Sequence, residues 1–351
     1  TNTAGAVVGT LAGAFVFLPR YGLAGTVWVG VAANALVFIL AALIATRAPL
    51  PVPDPSPAMD ERAAGQETIP DGRVRWILPL IALSGSVSFT YEVLWTRLLS
   101  HILGGSVYAF AAMLASFLTG ITIGGAIASL LARTRQAAAI GFTLCQVGIA
   151  ALAAWVYSHM DGLPAVFLER MAEPNASAQA VGTRMAFTLL LPATILIGAT
   201  FPFALRILAR SRAEAGQASA RVYAWNTVGA IIGALLAGFL LIPSLGFAGT
   251  ARLAVGVSLT LAAAASITLL WPTARWLCIG TCASLMALVA YEPQSALEPD
   301  DEGEEDAVAV SAFASAASFS PGGSLSSNRD RLFNDYADRK GMSKDVCGFV
   351  S

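Results

Sequence analysis

Charge is what this sequence has least of: 12% of its 351 residues are Asp, Glu, Lys or Arg, against about 25% in an ordinary soluble domain. That shortage excludes a soluble globular chain of average composition. The net charge of −1, with no basic stripe, excludes a partner held through its phosphates, so no nucleic acid is expected. Histidine is nearly absent, and His101 and His159 stand alone, which leaves no nucleophile and base within sight of each other. The four cysteines, Cys145, Cys278, Cys282 and Cys347, form neither a disulfide framework nor a metal-ligand spacing, so no metal is expected. Cys278 and Cys282 lie one helical turn apart, but burial is the ordinary state of an unpaired cysteine. Neither a Gly-x-Gly-x-x-Gly run nor a Walker loop occurs, which removes the common phosphate cradles. Alternating ten-residue segments are also lacking, which argues against a β-barrel.

What is present is apolar length. Hydrophobic residues make up 56% of the chain, and runs of about 20 apolar residues, enough to cross roughly 30 Å of hydrocarbon as helices, recur throughout. The pattern predicts an all-α, polytopic transmembrane bundle of about eight or nine spans. They lie near Thr3 to Leu18, Leu23 to Ala45, Trp76 to Leu103, Ser106 to Leu131, Ala137 to Ser158, Met185 to Leu208, Val222 to Ile242, Phe247 to Leu270 and Trp276 to Ala290, the last being weak. The third is long for one crossing, and its second half is expected to bend into the interface. If the spans alternate, Arg47, Arg73, Arg75, Arg133, Arg135, Arg206 and Arg221 fall on the arginine-rich side. That side is cytoplasmic by the positive-inside rule, and it includes the Pro-rich linker over residues 47–75. Asn175-Ala176-Ser177 then falls outside, where an ordinary polar loop is a simpler reading than a glycosylation site.

The chain also repeats itself. Asn2-Thr3-Ala4-Gly5-Ala6-Val7-Val8-Gly9 returns as Asn226-Thr227-Val228-Gly229-Ala230-Ile231-Ile232-Gly233, and Pro19, Gly22, Gly25 and Thr26 return as Pro243, Gly246, Gly249 and Thr250. The offset is constant, and six spans separate the copies, so parallel repeats sharing one orientation are expected. Residues 1–46 then read as the last two helices of a truncated first repeat, and 76–272 as a complete six-helix second one. Residues 273–290 hold the weak ninth span. The acidic, Ala/Ser/Gly-rich stretch over 291–351 cannot offset its ordering entropy and is expected to be disordered.

Few residues in the spans carry chemistry. Gly5, Gly9 and Gly13, with Gly120 and Gly124 and with Gly229 and Gly233, form small-residue faces that let helix backbones approach, or that leave space for a channel. Glu92 is the only carboxylate embedded in an apolar span, where a charge costs about 2.5 to 3.5 kcal/mol. A structural ion pair, an interfacial position and a substrate or proton role all remain open for it. Arg97, five residues on, is poorly placed to pair with it along the same helix. Asn226, and Asn2 in the first copy, could cap a span or line a central cavity. Pro192 and Pro202 in one span predict bending.

Tyr91-Glu92-Val93-Leu94-Trp95-Thr96-Arg97, then Ser106-Val107-Tyr108-Ala109-Phe110 and Phe117-Leu118-x-Gly120-Ile121-x-Ile123-Gly124, form an ordered set with Gly198-Ala199-Thr200-Phe201-Pro202 and Asn226-Thr227-x-Gly229-Ala230. This set resembles the membrane region of the fused spermidine-synthase-like family, a major-facilitator-like region joined to a polyamine aminopropyltransferase domain. The resemblance implies a bacterial cytoplasmic-membrane protein whose transferase domain uses decarboxylated S-adenosylmethionine and a diamine. No strand and glycine-rich turn of such a domain follows Tyr291, so the chain itself is expected to hold no cofactor and no catalytic residue. The expected partners are the bilayer, a polyamine, and a missing N-terminal repeat or transferase domain. On this reading the chain anchors or feeds aminopropyl transfer, with Glu92 facing a cation and Tyr91 and Trp95 beside it. The other reading is a major-facilitator-like secondary transporter of a polyamine or another small molecule.

Overall fold

A computed structural model describes residues 2–47, 71–173, 176–209, 211, 214–270, 276, 279–283 and 285–287. Most of the Pro-rich linker, part of the weak ninth span, Asn175 and the acidic tail lie outside the described residues. Helix is the only extended secondary structure among those described. The order is α1 (Asn2–Ala12), a π-helical stretch (Gly13–Phe17), α2 (Leu18–Arg47), a turn α3 (Asp71–Val74), α4 (Ile77–Leu103), α5 (Val107–Leu131) and α6 (Arg135–Ser158). After a 3-10 turn at Met160–Gly162 come α7 (Leu163–Met171), α8 (Ala178–Leu208), α9 (Ala215–Leu235), a second π-helical stretch (Leu236–Leu241) and α10 (Ile242–Leu269).

Six helical stretches among the described residues are long and apolar enough to cross a membrane. Two of these are very long. Asn2–Arg47 and Ala215–Leu269, of 46 and 55 residues, would each exceed twice a hydrocarbon thickness of about 30 Å if straight, at about 1.5 Å per residue. Each is broken by one glycine with non-helical backbone, Gly22 (φ 65, ψ −177) and Gly246 (φ 70, ψ −179). An L side chain rarely adopts that conformation, so glycine is required at both corners.

Local signals set the remaining ends. Ser106, Thr134 and Ser177 open α5, α6 and α8, and their hydroxyls accept from the backbone N–H of Ala109, Ala137 and Ala180 at 3.1, 3.1 and 3.2 Å. Gly104 (φ 78) ends α4 and turns the chain straight into α5. The second half of Trp76 to Leu103, where a bend is expected, stays helical up to Gly104. α8 likewise stays continuous through Pro192 and Pro202. It is flanked by α5 and α6, and such support lets a helix tolerate the hydrogen bonds that proline cannot make.

Backbones meet where side chains are absent. Along the α5–α8 contact a Cβ on Gly120 would collide with Thr194, one on Gly124 with the Ile195 carbonyl, and one on Gly198 with the Ile121 backbone. The α4–α9 contact has the same build, Gly229 against Ala82 and Gly233 against Ser86. No described atom lies within 4 Å of a Cβ built on Gly5, Gly9 or Gly13. The core divides into one cluster around Tyr91, Trp95, Phe117 and Ile149, and another around Ile77, Ile81, Phe142 and Phe203. Large apolar side chains such as Phe38 and Leu130 are exposed on the outside.

Candidate functional site

α4 carries the site because its two faces have different neighbours. Ser84, Ser88, Tyr91 and Trp95 recur at helical spacing and are all buried. Gln146 of α6 donates its amide to Ser84 Oγ at 2.7 Å, and the Tyr91 and Ser258 hydroxyls, on α4 and α10, lie 3.2 Å apart. These bonds satisfy polar groups that would be costly to leave unpaired in an apolar core.

Glu92, about 100° around the helix from Tyr91, faces a different environment. It lines a narrow cleft with Trp95 and Thr96 of α4, Phe110, Met113, Leu114 and Phe117 of α5, and Leu190 of α8. The walls leave room for little more than one water-sized group. Glu92 is half-buried, and its Oε2 is wholly buried with no hydrogen-bond partner among the described residues. A carboxylate oxygen so placed has lost water without gaining a donor. Three aromatic residues, Trp95, Phe110 and Phe117, line the cleft, and aromatic rings attract cations at their faces.

The structure gathers only some of the residues singled out from sequence. Trp95 shares the cleft with Glu92. Tyr91 does not line it: its ring stacks on Trp95 (centroids 5.3 Å apart, planes 13° apart) while its hydroxyl points to Ser258. Arg97 is exposed, and no ion pair joins it to Glu92 among the described residues. Asn226 is not a cap, because α9 begins at Ala215 and Asn226 sits about three turns inside it. It instead packs on Gly85, where an added Cβ would stand 2.5 Å from Asn226 O and 2.7 Å from Oδ1. Gly85 is two turns, or about 10 Å, from Glu92, so Asn226 belongs to the helix crossing and not to the cleft. The contribution of α5 escaped the sequence reading, although Phe110, Met113 and Phe117 recur at helical spacing.

No group of three or more His, Cys, Asp or Glu suited to a metal occurs among the described residues. The described residues also contain no strand.

The chain is 29% identical over 240 residues to the polyamine aminopropyltransferases of Mycobacterium tuberculosis, strains CDC 1551 and H37Rv, and of Mycobacterium bovis. The match covers 65% of this chain and 42% of each relative, so the chain spans about two fifths of their length. No family model matches. No solved structure matches either.

Proposed function

We propose that this chain is the integral membrane region of an aminopropyltransferase-type protein, and that Glu92 receives the terminal ammonium of a polyamine. In this role the region anchors or feeds an aminopropyl transfer performed outside the described helices. The observation that carries the reading is the partnerless Glu92 Oε2 in a cleft walled by Trp95, Phe110 and Phe117. A primary ammonium is about the size of the space, brings three donors to an oxygen that has none, and gains from the ring faces. The name carried by the mycobacterial relatives supplies the substrate class.

The topology follows from the same reading. Broken at Gly22 and Gly246, the six long stretches become eight crossings, with 279–283 and 285–287 belonging to a ninth candidate. The two copies of the repeat then enter the membrane from the same side, as parallel units do. The arginine-rich connections lie in the cytoplasm and the protein resides in a bacterial cytoplasmic membrane.

Equilibrium binding of labelled spermidine to the purified protein in nanodiscs tests this. Losing a charged hydrogen bond costs about 1.5 to 3 kcal/mol, so Glu92→Gln should weaken binding about 10- to 100-fold. Equal affinity in Glu92→Gln and wild type would reject the site. The second reading, a secondary transporter, draws on the duplicated units and on the single membrane-embedded carboxylate. Uptake of labelled putrescine into proteoliposomes, lost in Glu92→Gln, would select transport over anchoring.

A further inference from the structure

We infer that Thr96 is the second oxygen partner of the ammonium at Glu92, and that it makes the cleft select an unsubstituted primary amine. The inference rests on the reading of Glu92 given above and adds what the site discriminates between.

Spacing puts both residues on one face of α4. Thr96 follows Glu92 by four residues, one turn along, where the Cβ atoms of a helix stand about 5 to 6 Å apart. Helical side chains lean toward the N-terminus, so that of Thr96 reaches back over the turn that Glu92 occupies. Both residues are half-buried and line the same cleft. Since that cleft admits little more than one water-sized group, a nitrogen held in it lies close to both side chains at once.

The Thr96 hydroxyl is uncommitted. A threonine inside a helix has two accessible rotamers, one of which lets Oγ1 donate to a carbonyl three or four residues back. The neighbouring hydroxyls of α4 take that course, Thr90 Oγ1 donating to Ser86 O at 2.9 Å and Ser100 Oγ to Thr96 O at 2.5 Å. Thr96 Oγ1 makes no such bond among the described residues, and its lone pairs are left for a donor that enters the cleft. The other side chains of the lining do not compete for that donor. Phe110, Leu114, Phe117 and Leu190 carry no polar atom, the Trp95 indole N–H can only donate, and the Met113 sulfur accepts weakly.

Two oxygens in so small a space count the hydrogens on a nitrogen. A primary ammonium brings three N–H groups, one for Glu92 Oε2 and a second for Thr96 Oγ1, whereas a tertiary ammonium brings one and serves Glu92 alone. A site built to hydrogen-bond an N–H rejects the analogue that lacks it, because its own polar group is then left unpaired.

The test is equilibrium binding of labelled putrescine, and of putrescine dimethylated at both nitrogens, to the full chain in nanodiscs. Thr96→Val keeps the shape of the side chain without its hydroxyl, and should weaken putrescine about 10-fold while changing the dimethylated ligand by less than about twofold. Thr96→Ser, which restores the hydroxyl, should recover putrescine binding. Equal changes for both ligands, no change for either, or a Thr96→Ser variant as weak as Thr96→Val would overturn the inference. Rejection of the dimethylated ligand by both wild type and Thr96→Val would assign the selectivity to size and overturn it as well. Should the valine variant not fold, Thr96→Ala is read in the same way. Binding that depends on Glu92 but ignores Thr96→Val removes this inference alone, whereas equal putrescine binding by wild type and Glu92→Gln removes the proposed function and this inference with it.

Discussion

Replacing Gly124 with alanine adds a single methyl group, yet it should be among the most damaging small changes available. The Cβ it introduces would overlap the Ile195 carbonyl and approach the Ala199 amide nitrogen at 3.0 Å, both backbone atoms of α8. A flexible side chain could rotate away, but a helix backbone cannot, so α5 and α8 must separate along their glycine-lined contact. Overpacking of this kind costs about 1 to 3 kcal/mol, and the upper end applies because the obstruction is main chain. Gly256→Ala in α10 is the matched control, since no described atom lies within 4 Å of its added Cβ. There the better helix propensity of alanine should stabilise the protein by about 0.5 to 1 kcal/mol. Thermal melts of the two variants in one detergent read the difference as shifts of opposite sign. Equal shifts would show that close backbone approach does not hold α5 to α8, and would refute the packing argument.

Two further outcomes follow from the same geometry. Gly246→Ala should lower the melting temperature although no described atom lies within 4 Å of its Cβ, because the positive-φ corner itself costs about 1 to 3 kcal/mol for an L residue; an unshifted melt would contradict it. Tyr91→Phe and Ser258→Ala should each cost about 1 kcal/mol, and the double variant should cost less than their sum because one hydroxyl pair is removed; strict additivity in a double-mutant cycle would refute the contact.

The helices were legible in the sequence because apolar length is a strong signal, and so were the divisions between spans near Gly22 and Gly246, though not the backbone conformation found there. Hydropathy marks the part of a helix that suits lipid, however, and not the whole helix. α9 therefore begins about two turns before its apolar run, through polar Gln217, Ser219 and Arg221, and that extension turns Asn226 from a cap into a packing residue. α7 is short and sits in a connection, so span length gave no sign of it. Glu92 and Trp95 were recognisable as costly or aromatic residues in a span, but which side of α4 faced which neighbour was not. That depends on long-range packing, which sends Tyr91 to Ser258 and brings Phe110 and Phe117 to Glu92.

The central claim is that an ammonium group sits at Glu92. Its most direct test is protection of that side chain from a carbodiimide that modifies carboxyl groups in apolar surroundings, read by peptide mass spectrometry. Spermidine should suppress modification of Glu92, while choline, whose quaternary head is larger than the cleft and has no N–H to donate, should not. Equal modification of Glu92 with and without spermidine would contradict the account.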